Sequence, residues 1–410
     1  MSAERPQPAF SPQKATLALL GSVFIAFGVF LSGFVISEPA PYELLMAALI
    51  GIWALFGLRI SRSVAPLLVL IVLITIGGLL AMTVMSDLAE APMYMAVSAF
   101  LGLTAVFFAA VIEDRWQRLT FIRAGWIAAG VGTALLGILG YFGAIPGAGQ
   151  FTLYDRAKGA FQDPNVFGPF LVTPSLFLLH GILTGRLRHL PWRVAGVLIM
   201  ALGVLLSFSR AAWGLYVVCV LALVFILLLK ERSAAFRAKI LMLFLAGTLL
   251  LLATIVIALQ FEQVSALLAS RTQLVQDYDA GPYGRFGRHL LGYQLALERP
   301  LGIGPLVFGK IYGQDTHNIW LKFLLDYGWL GFVSYVGLLV WTLSLGFRYL
   351  LRDRPWQPYL MISWISLAGH TLIGNLIDTD HWRHFYLLFG IIWGCAALEH
   401  RTRKRVSSEA

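Results

Sequence analysis

The chain has 410 residues, 59% of them hydrophobic and only 13% charged, with a formal net charge of +10. A soluble domain carries roughly 25% charged residues, so a soluble globular enzyme is excluded and the basic excess needs an explanation at a membrane. Cys219 and Cys395 both fall inside apolar runs, and neither is placed as half of an outer disulfide.

Apolar runs of about 17–25 residues can cross a hydrocarbon core as helices. Twelve are predicted in chain order, at 15–36, 42–58, 64–85, 92–112, 121–142, 164–183, 192–207, 211–229, 240–260, 319–346, 358–376 and 383–398. The first exceeds the roughly 7–15-residue core of a signal peptide and is read as a retained span. The fold expected is therefore an all-α integral membrane protein of about 12 transmembrane helices, a single polytopic domain over 1–410. A large loop at 262–318, between the ninth and tenth helices, is expected to form a periplasmic cap carrying part of the active site.

Lys and Arg collect in alternate connections: Arg59 and Arg62; Arg115, Arg118 and Arg123; Arg186, Arg188 and Arg193; Lys230, Arg232, Arg237 and Lys239; Arg348, Arg352 and Arg354. The tail adds Arg401, Arg403, Lys404 and Arg405, whereas the loops at 37–41 and 86–91 carry only the acidic Glu38, Asp87 and Glu90. By the positive-inside rule the basic connections face the cytoplasm, and both termini lie there. Orientation then accounts for most of the positive charge, so membrane lipids are expected as partners and nucleic acid is not.

Basic residues left on the outer side have another use, and they fall in four groups. Arg156 and Lys158 lead into Phe161-Gln162-Asp163-Pro164-Asn165 before the sixth span. Arg210 sits in the tight turn Ser207-Phe208-Ser209-Arg210-Ala211-Ala212-Trp213, where its guanidinium must lie near the interface. A snorkelling arginine on lipid headgroups is the plainer alternative. The 262–318 loop holds Arg271, Arg285, Arg288, Arg299 and Lys310, and the fourth group is Asp378–His384 with Arg383.

Arg285 and Arg288 share a face if Phe286 onward is helical, and planar guanidinium forks suit the oxygens of a phosphate or diphosphate. A solvated face, or ion pairs with Asp277, Asp279 or Glu298, would also explain them. The loop ends in Asp315-Thr316-His317-Asn318, with Lys322 one turn further on. An imidazole of pKa near 6.5 can accept a proton at neutral pH. His317 is therefore the candidate base and Asp315 a candidate orienter, against the alternative of a histidine that only anchors a helix end.

Other signals point nowhere. Gly304–Lys310 has the G-x-x-x-x-G-K spacing, but Ile311 stands where a P-loop needs Ser or Thr. His381-x-x-His384 lacks further metal ligands and is read as interfacial capping, and His370 as a hydrogen-bonded residue between helices. No Asp/Glu cluster suits a catalytic divalent ion, so neither metal nor cofactor is expected. Carriers usually place ionisable groups at mid-membrane, and here they lie at span ends apart from His370. A lipid flippase with a basic cavity remains a competing class, although it needs no histidine beside a cap.

Three patterns in order carry a resemblance: Arg156-x-x-Gly159-x-Phe161-x-x-Pro164-Asn165, Ser207-x-Ser209-Arg210-x-x-Trp213, and His317-Asn318-x-x-Leu321 followed by Asp326-Tyr327-Gly328-x-x-Gly331. Together they resemble the O-antigen ligase and polymerase superfamily over roughly residues 120–345. The resemblance implies transfer of a glycan from an undecaprenyl-diphosphate carrier to an acceptor, such as lipid A-core, outside a bacterial inner membrane. It also implies donor-diphosphate contacts at Arg210 and Arg288 or Arg285, a catalytic His317, and no metal. Supporting roles fall to Arg156, Lys158, Asn165, Asp315, Asn318 and Lys322. Ligase and polymerase are not separated by these motifs.

Overall fold

The computed structural model describes residues 12–231, 233–272 and 284–409. Apart from one small hairpin and two short 3-10 turns, the regular secondary structure of the described residues is α-helical. In chain order the helices are α1 (Pro12–Leu31), α2 (Pro41–Leu55), α3 (Ala65–Met82), α4 (Ala91–Asp114), α5 (Arg118–Tyr141), α6 (Pro164–Thr184), α7 (Leu190–Leu206) and α8 (Arg210–Lys230). They continue with α9 (Ala234–Ala258), α10 (Glu262–Arg271), α11 (Arg285–Glu298), α12 (Val307–Tyr312), α13 (Ile319–Asp326), α14 (Gly328–Tyr349), α15 (Gln357–Ile373) and α16 (Arg383–Glu409).

Eight of these, α1, α3, α4, α5, α6, α8, α9 and α14, are long and apolar enough to cross a membrane, while α2 and α7 are apolar but shorter. The centre of the bundle is the α4–α16 pair, where Phe107, Phe108, Leu388 and Trp393 are fully buried. At the periphery α9 leaves Leu241, Met242, Leu245 and Leu249 exposed, a surface that water would not tolerate and lipid would.

One predicted span is corrected. The run at 319–346 is two helices, α13 and α14, broken at Tyr327–Gly328. Gly328 has φ +63°, and a side chain there would meet the Leu301 backbone at 2.8 Å. The carbonyl that the break frees is used: Leu325 O accepts from Ile303 N (2.8 Å) and Gly304 N (3.1 Å). The end of the 262–318 segment is thereby fastened to the break. Its α11 and α12 share a small core with α13, made of Ala296, Phe308, Leu321, Leu324 and Leu325.

The connections sort into two ends. At one, Arg383 pairs with Glu43 (2.5 Å) and Glu38 (3.1 Å), and Val35 N donates to Ala160 O (2.6 Å). At the other, Lys230 pairs with Asp353 (3.0 Å) and Arg354 with Glu399 (3.2 Å). The first end joins loops expected outside and the second joins connections expected inside.

Candidate active site

His317 sits in a turn fixed on both sides. Asn318 caps α13, its Oδ1 accepting from Trp320 N (3.1 Å) and Leu321 N (3.2 Å). The same side chain donates to Asn375 O (3.3 Å), and Ile319 N donates to Gly374 O (2.8 Å). Before the histidine, Thr316 is buried and its carbonyl lies 2.9 Å from His289 Nε2 on α11. So pinned, His317 adopts φ +49°, a left-handed conformation that L side chains adopt at a cost. Its ring is 42% exposed and its Nδ1 lies 3.6 Å from Asp378 Oδ2. The other oxygen of that carboxylate is buried without a hydrogen-bond partner among the described residues.

Asp378 was not singled out as a site residue from sequence, and it takes the place expected for Asp315. The Asp315 carboxylate turns instead to Lys322 Nζ at 2.8 Å. Lys322 is itself buried, 3.1 Å from Asp326 on the next turn of α13, and lies over the Tyr94 ring. Its charge is thus held between two carboxylates and not presented to a ligand. Behind it, Asp380 accepts hydrogen bonds from Tyr94 and from His381 Nδ1 (2.9 Å). Burial pushes the Asp380 carboxyl upward, but Lys322, His381 and these hydrogen bonds prevail and hold it well below the usual carboxylate range. His381 continues to Ser98 (3.1 Å), and Ser98 to Tyr327 (2.8 Å).

The arginines come from three elements. Arg156 lies on the second strand of a hairpin, Thr152–Leu153 against Arg156–Ala157, joined by Tyr154 and Asp155 at φ +51° and +56°. Positive φ at both central residues is the two-residue turn that matches strand twist. Gly159 follows at φ +53°, where a side chain would collide with Phe167 and Thr133. The buried Arg156 donates from Nε to Ser207 O (2.7 Å) and from Nη2 to Asn165 Oδ1 (2.8 Å). Lys158 is half-buried, its N–H on Phe151 O at 2.9 Å. Arg156 and Asn165 thus brace the turn that presents Arg210, which opens α8 after the cap Ser209.

Arg288, on α11, is buried and donates to Gln314 Oε1 at 2.8 Å, three residues before His317. The side chain of Arg285, together with Asp277 and Asp279, lies outside the described residues.

Packing brings Arg210 to the level of His317. Helices α8 and α15 run antiparallel, with Leu215 against Gly369 and Cys219 Sγ on Ile365 O. Five residues back from Leu215 is Arg210, and five on from Gly369 is Gly374, each about 7.5 Å along its helix. Gly374 is the residue that holds Ile319 N.

Of the other histidines, His370 is a hydrogen-bonded residue between helices, its Nδ1 on Ser366 O of its own helix at 2.7 Å and its ring edge-on to Trp382 at 5.9 Å. His384 is buried against His370, with ring centroids 5.2 Å apart. Gly304–Lys310 forms a left-handed turn at Leu306 and the short α12. Among the described residues no group of three or more His, Cys, Asp or Glu is arranged to hold a metal ion.

Compared with known proteins, residues 195–336 match the family model described as O-antigen ligase. The matched segment contains Arg210, Arg288 and His317, whereas Arg156 and Asp378 lie outside it. No curated protein matches the chain.

Proposed function

We propose, from a chain whose residues 195–336 belong to the O-antigen ligase and polymerase superfamily, that this protein is a glycosyltransferase acting at the periplasmic face of a bacterial inner membrane. It would cross the membrane twelve times with both termini in the cytoplasm, and 262–318 would roof the site. The donor is a glycan on undecaprenyl diphosphate and the acceptor is a sugar hydroxyl, that of lipid A-core in a ligase. The observation that carries the reading is the His317 turn, with the ring open to solvent against Asp378 and Arg288 held three residues away on Gln314.

The chemistry is a single displacement with inversion. Asp378 favours the Nδ1–H tautomer of His317, leaving Nε2 to take the proton from the acceptor hydroxyl. The hydroxyl oxygen forms the new bond to the anomeric carbon as the bond from that carbon to the phosphate oxygen breaks. Undecaprenyl diphosphate leaves with the electron pair. Arg210 and Arg288, with Arg285 three positions before Arg288, stabilise the charge that grows on it. The reading needs no metal, because guanidinium groups supply the positive charge.

The deciding assay uses purified protein in detergent with the lipid-linked glycan, a chelator and no nucleotide, offered two acceptors in separate reactions. Product on lipid A-core marks a ligase; lengthening of the lipid-linked glycan without lipid A-core marks a polymerase. Donor binding without product in either format would overturn the transferase reading in favour of a binding or flipping protein.

A further inference from the structure

At the end of the bundle away from His317, a cavity of about 690 Å³ opens between α5, α6, α7 and the start of α15. Two guanidinium groups line it. Arg193 donates from Nη1 to Gly181 O and lies over Trp192, at 5.6 Å from the ring centroid. It is seated on the last turn of α6 because Gly181 and Gly185 leave room; a side chain at Gly185 would come within 2.4 Å of it. Arg123 lies over Tyr359 at 5.7 Å and has no carboxylate partner among the described residues. None of the lining residues described carries a carboxylate.

The cavity is not uniformly polar. From Arg123 its wall continues along one face of α5 as Ala124, Ile127, Ala128 and Val131, a stripe about 12 Å long at 1.5 Å per residue. Ala124 and Ala128 are exposed, so the slot opens sideways along the helix. A small soluble anion would use the arginines and leave the stripe idle. An amphiphile with an anionic head uses both, as basic pockets between transmembrane helices do.

We propose that this cleft binds the phosphate-bearing headgroup of an anionic phospholipid, with one acyl chain along the α5 stripe. The inference stands apart from glycosyl transfer: it concerns a different end of the molecule, and its readout is lipid retention, not product.

The test is native mass spectrometry of the full chain in detergent, titrated with phosphatidylglycerol, with phosphatidylcholine of the same chains, or with inorganic phosphate. Phosphatidylglycerol should be retained in preference to phosphatidylcholine. Arg123→Gln should weaken that retention about tenfold, the scale of one lost charge-assisted hydrogen bond. Ala128→Trp, which fills the slot and leaves every charge in place, should block it as well. Arg193 is left intact because it caps α6. Equal retention of the two lipids, or Arg123→Gln and Ala128→Trp both behaving as wild type, would overturn the proposal. Saturable binding of inorganic phosphate that displaces the lipid would overturn the lipid assignment in favour of a soluble anion.

Discussion

The turn at 315–318 and the seam between α15 and α16 both hold histidine near the same end of the bundle, in opposite surroundings. In the seam, His370 and His384 face each other in full burial, with Trp382 stacked at 5.2 Å from His384 and Phe170 edge-on at 5.4 Å. In the turn, His317 is 42% exposed, faces a carboxylate and stands on a backbone conformation that only its anchored neighbours sustain. A ring sealed among aromatics fills space; a ring open on one side and charged on the other can move a proton. Histidine as a residue type therefore predicts little, and what faces each nitrogen predicts much.

That contrast is broken or confirmed most sharply by paired substitutions. A positioned base contributes on the order of 10²–10⁴-fold, so His317→Ala should reduce glycan transfer by that factor at unchanged protein level. His384→Phe keeps a ring of similar size against Trp382 and should leave transfer within a few-fold of wild type, measured per folded molecule. Comparable losses in both variants would erase the distinction between the two regions.

The arginines give the next largest effect. Arg288 is buried and fixed on Gln314, whereas Arg299 is exposed at the turn before Pro300. Losing hydrogen bonds of about 1.5–3 kcal/mol to a charged group corresponds to roughly 10- to 150-fold, which is the loss expected for Arg288→Ala. Arg299→Ala should stay near wild type. Arg210→Lys, which keeps charge but loses the planar fork, should also fall well below wild type. Small and equal losses at all three positions would mean a diffuse field and no defined diphosphate site.

Asp378→Asn sharpens the comparison at its weakest joint, a contact of 3.6 Å. About tenfold is expected, because two unit charges about 4 Å apart interact by about 1 kcal/mol in water and by more where water is excluded. Because the carboxylate acts through the imidazole, adding Asp378→Asn to His317→Ala should cost nothing further. Additive losses would show that Asp378 acts independently of the histidine.

Much of this was legible in the chain. Long apolar runs gave α4, α6 and α8 close to their bounds, and the Ser209 and Asn318 caps lie where short polar residues precede apolar helices. The break inside 319–346 was not, because hydropathy registers the apolar residues around Gly328 and is blind to its positive φ. Lys322 and Asp326 are four apart, a spacing that on any helix brings opposite charges together. That spacing was the unused signal that Lys322 would be neutralised. Asp378 is 61 positions beyond its histidine, and the contact exists only because Asn318 and Ile319 bond to Asn375 and Gly374. No local pattern encodes such a pairing.

The smallest effect concerns motion. The 262–318 segment is rich in glycine, as expected of connections between short helices, and such segments open at lower free energy than packed spans. Its α11 is tied to its end by Arg288 on Gln314, and the segment is fastened to the bundle at Leu325 O, at Trp329 on Ala296 and Pro300, and at Lys322 on Asp315, yet it shares only a small core with α13. Along α11, Phe286, Leu290, Tyr293 and Leu297 leave an apolar stripe exposed, which a polyprenyl chain entering from the bilayer would cover. Hydrogen exchange in α11 and in 313–316 should therefore slow by about tenfold on binding a donor analogue, corresponding to about 1.4 kcal/mol of added local stability. The α4–α16 pair, already the buried centre of the bundle, should not change. Protection in α11 that is strong without donor and unaltered by it would make 284–316 a fixed roof, and these anchors sufficient to hold it closed.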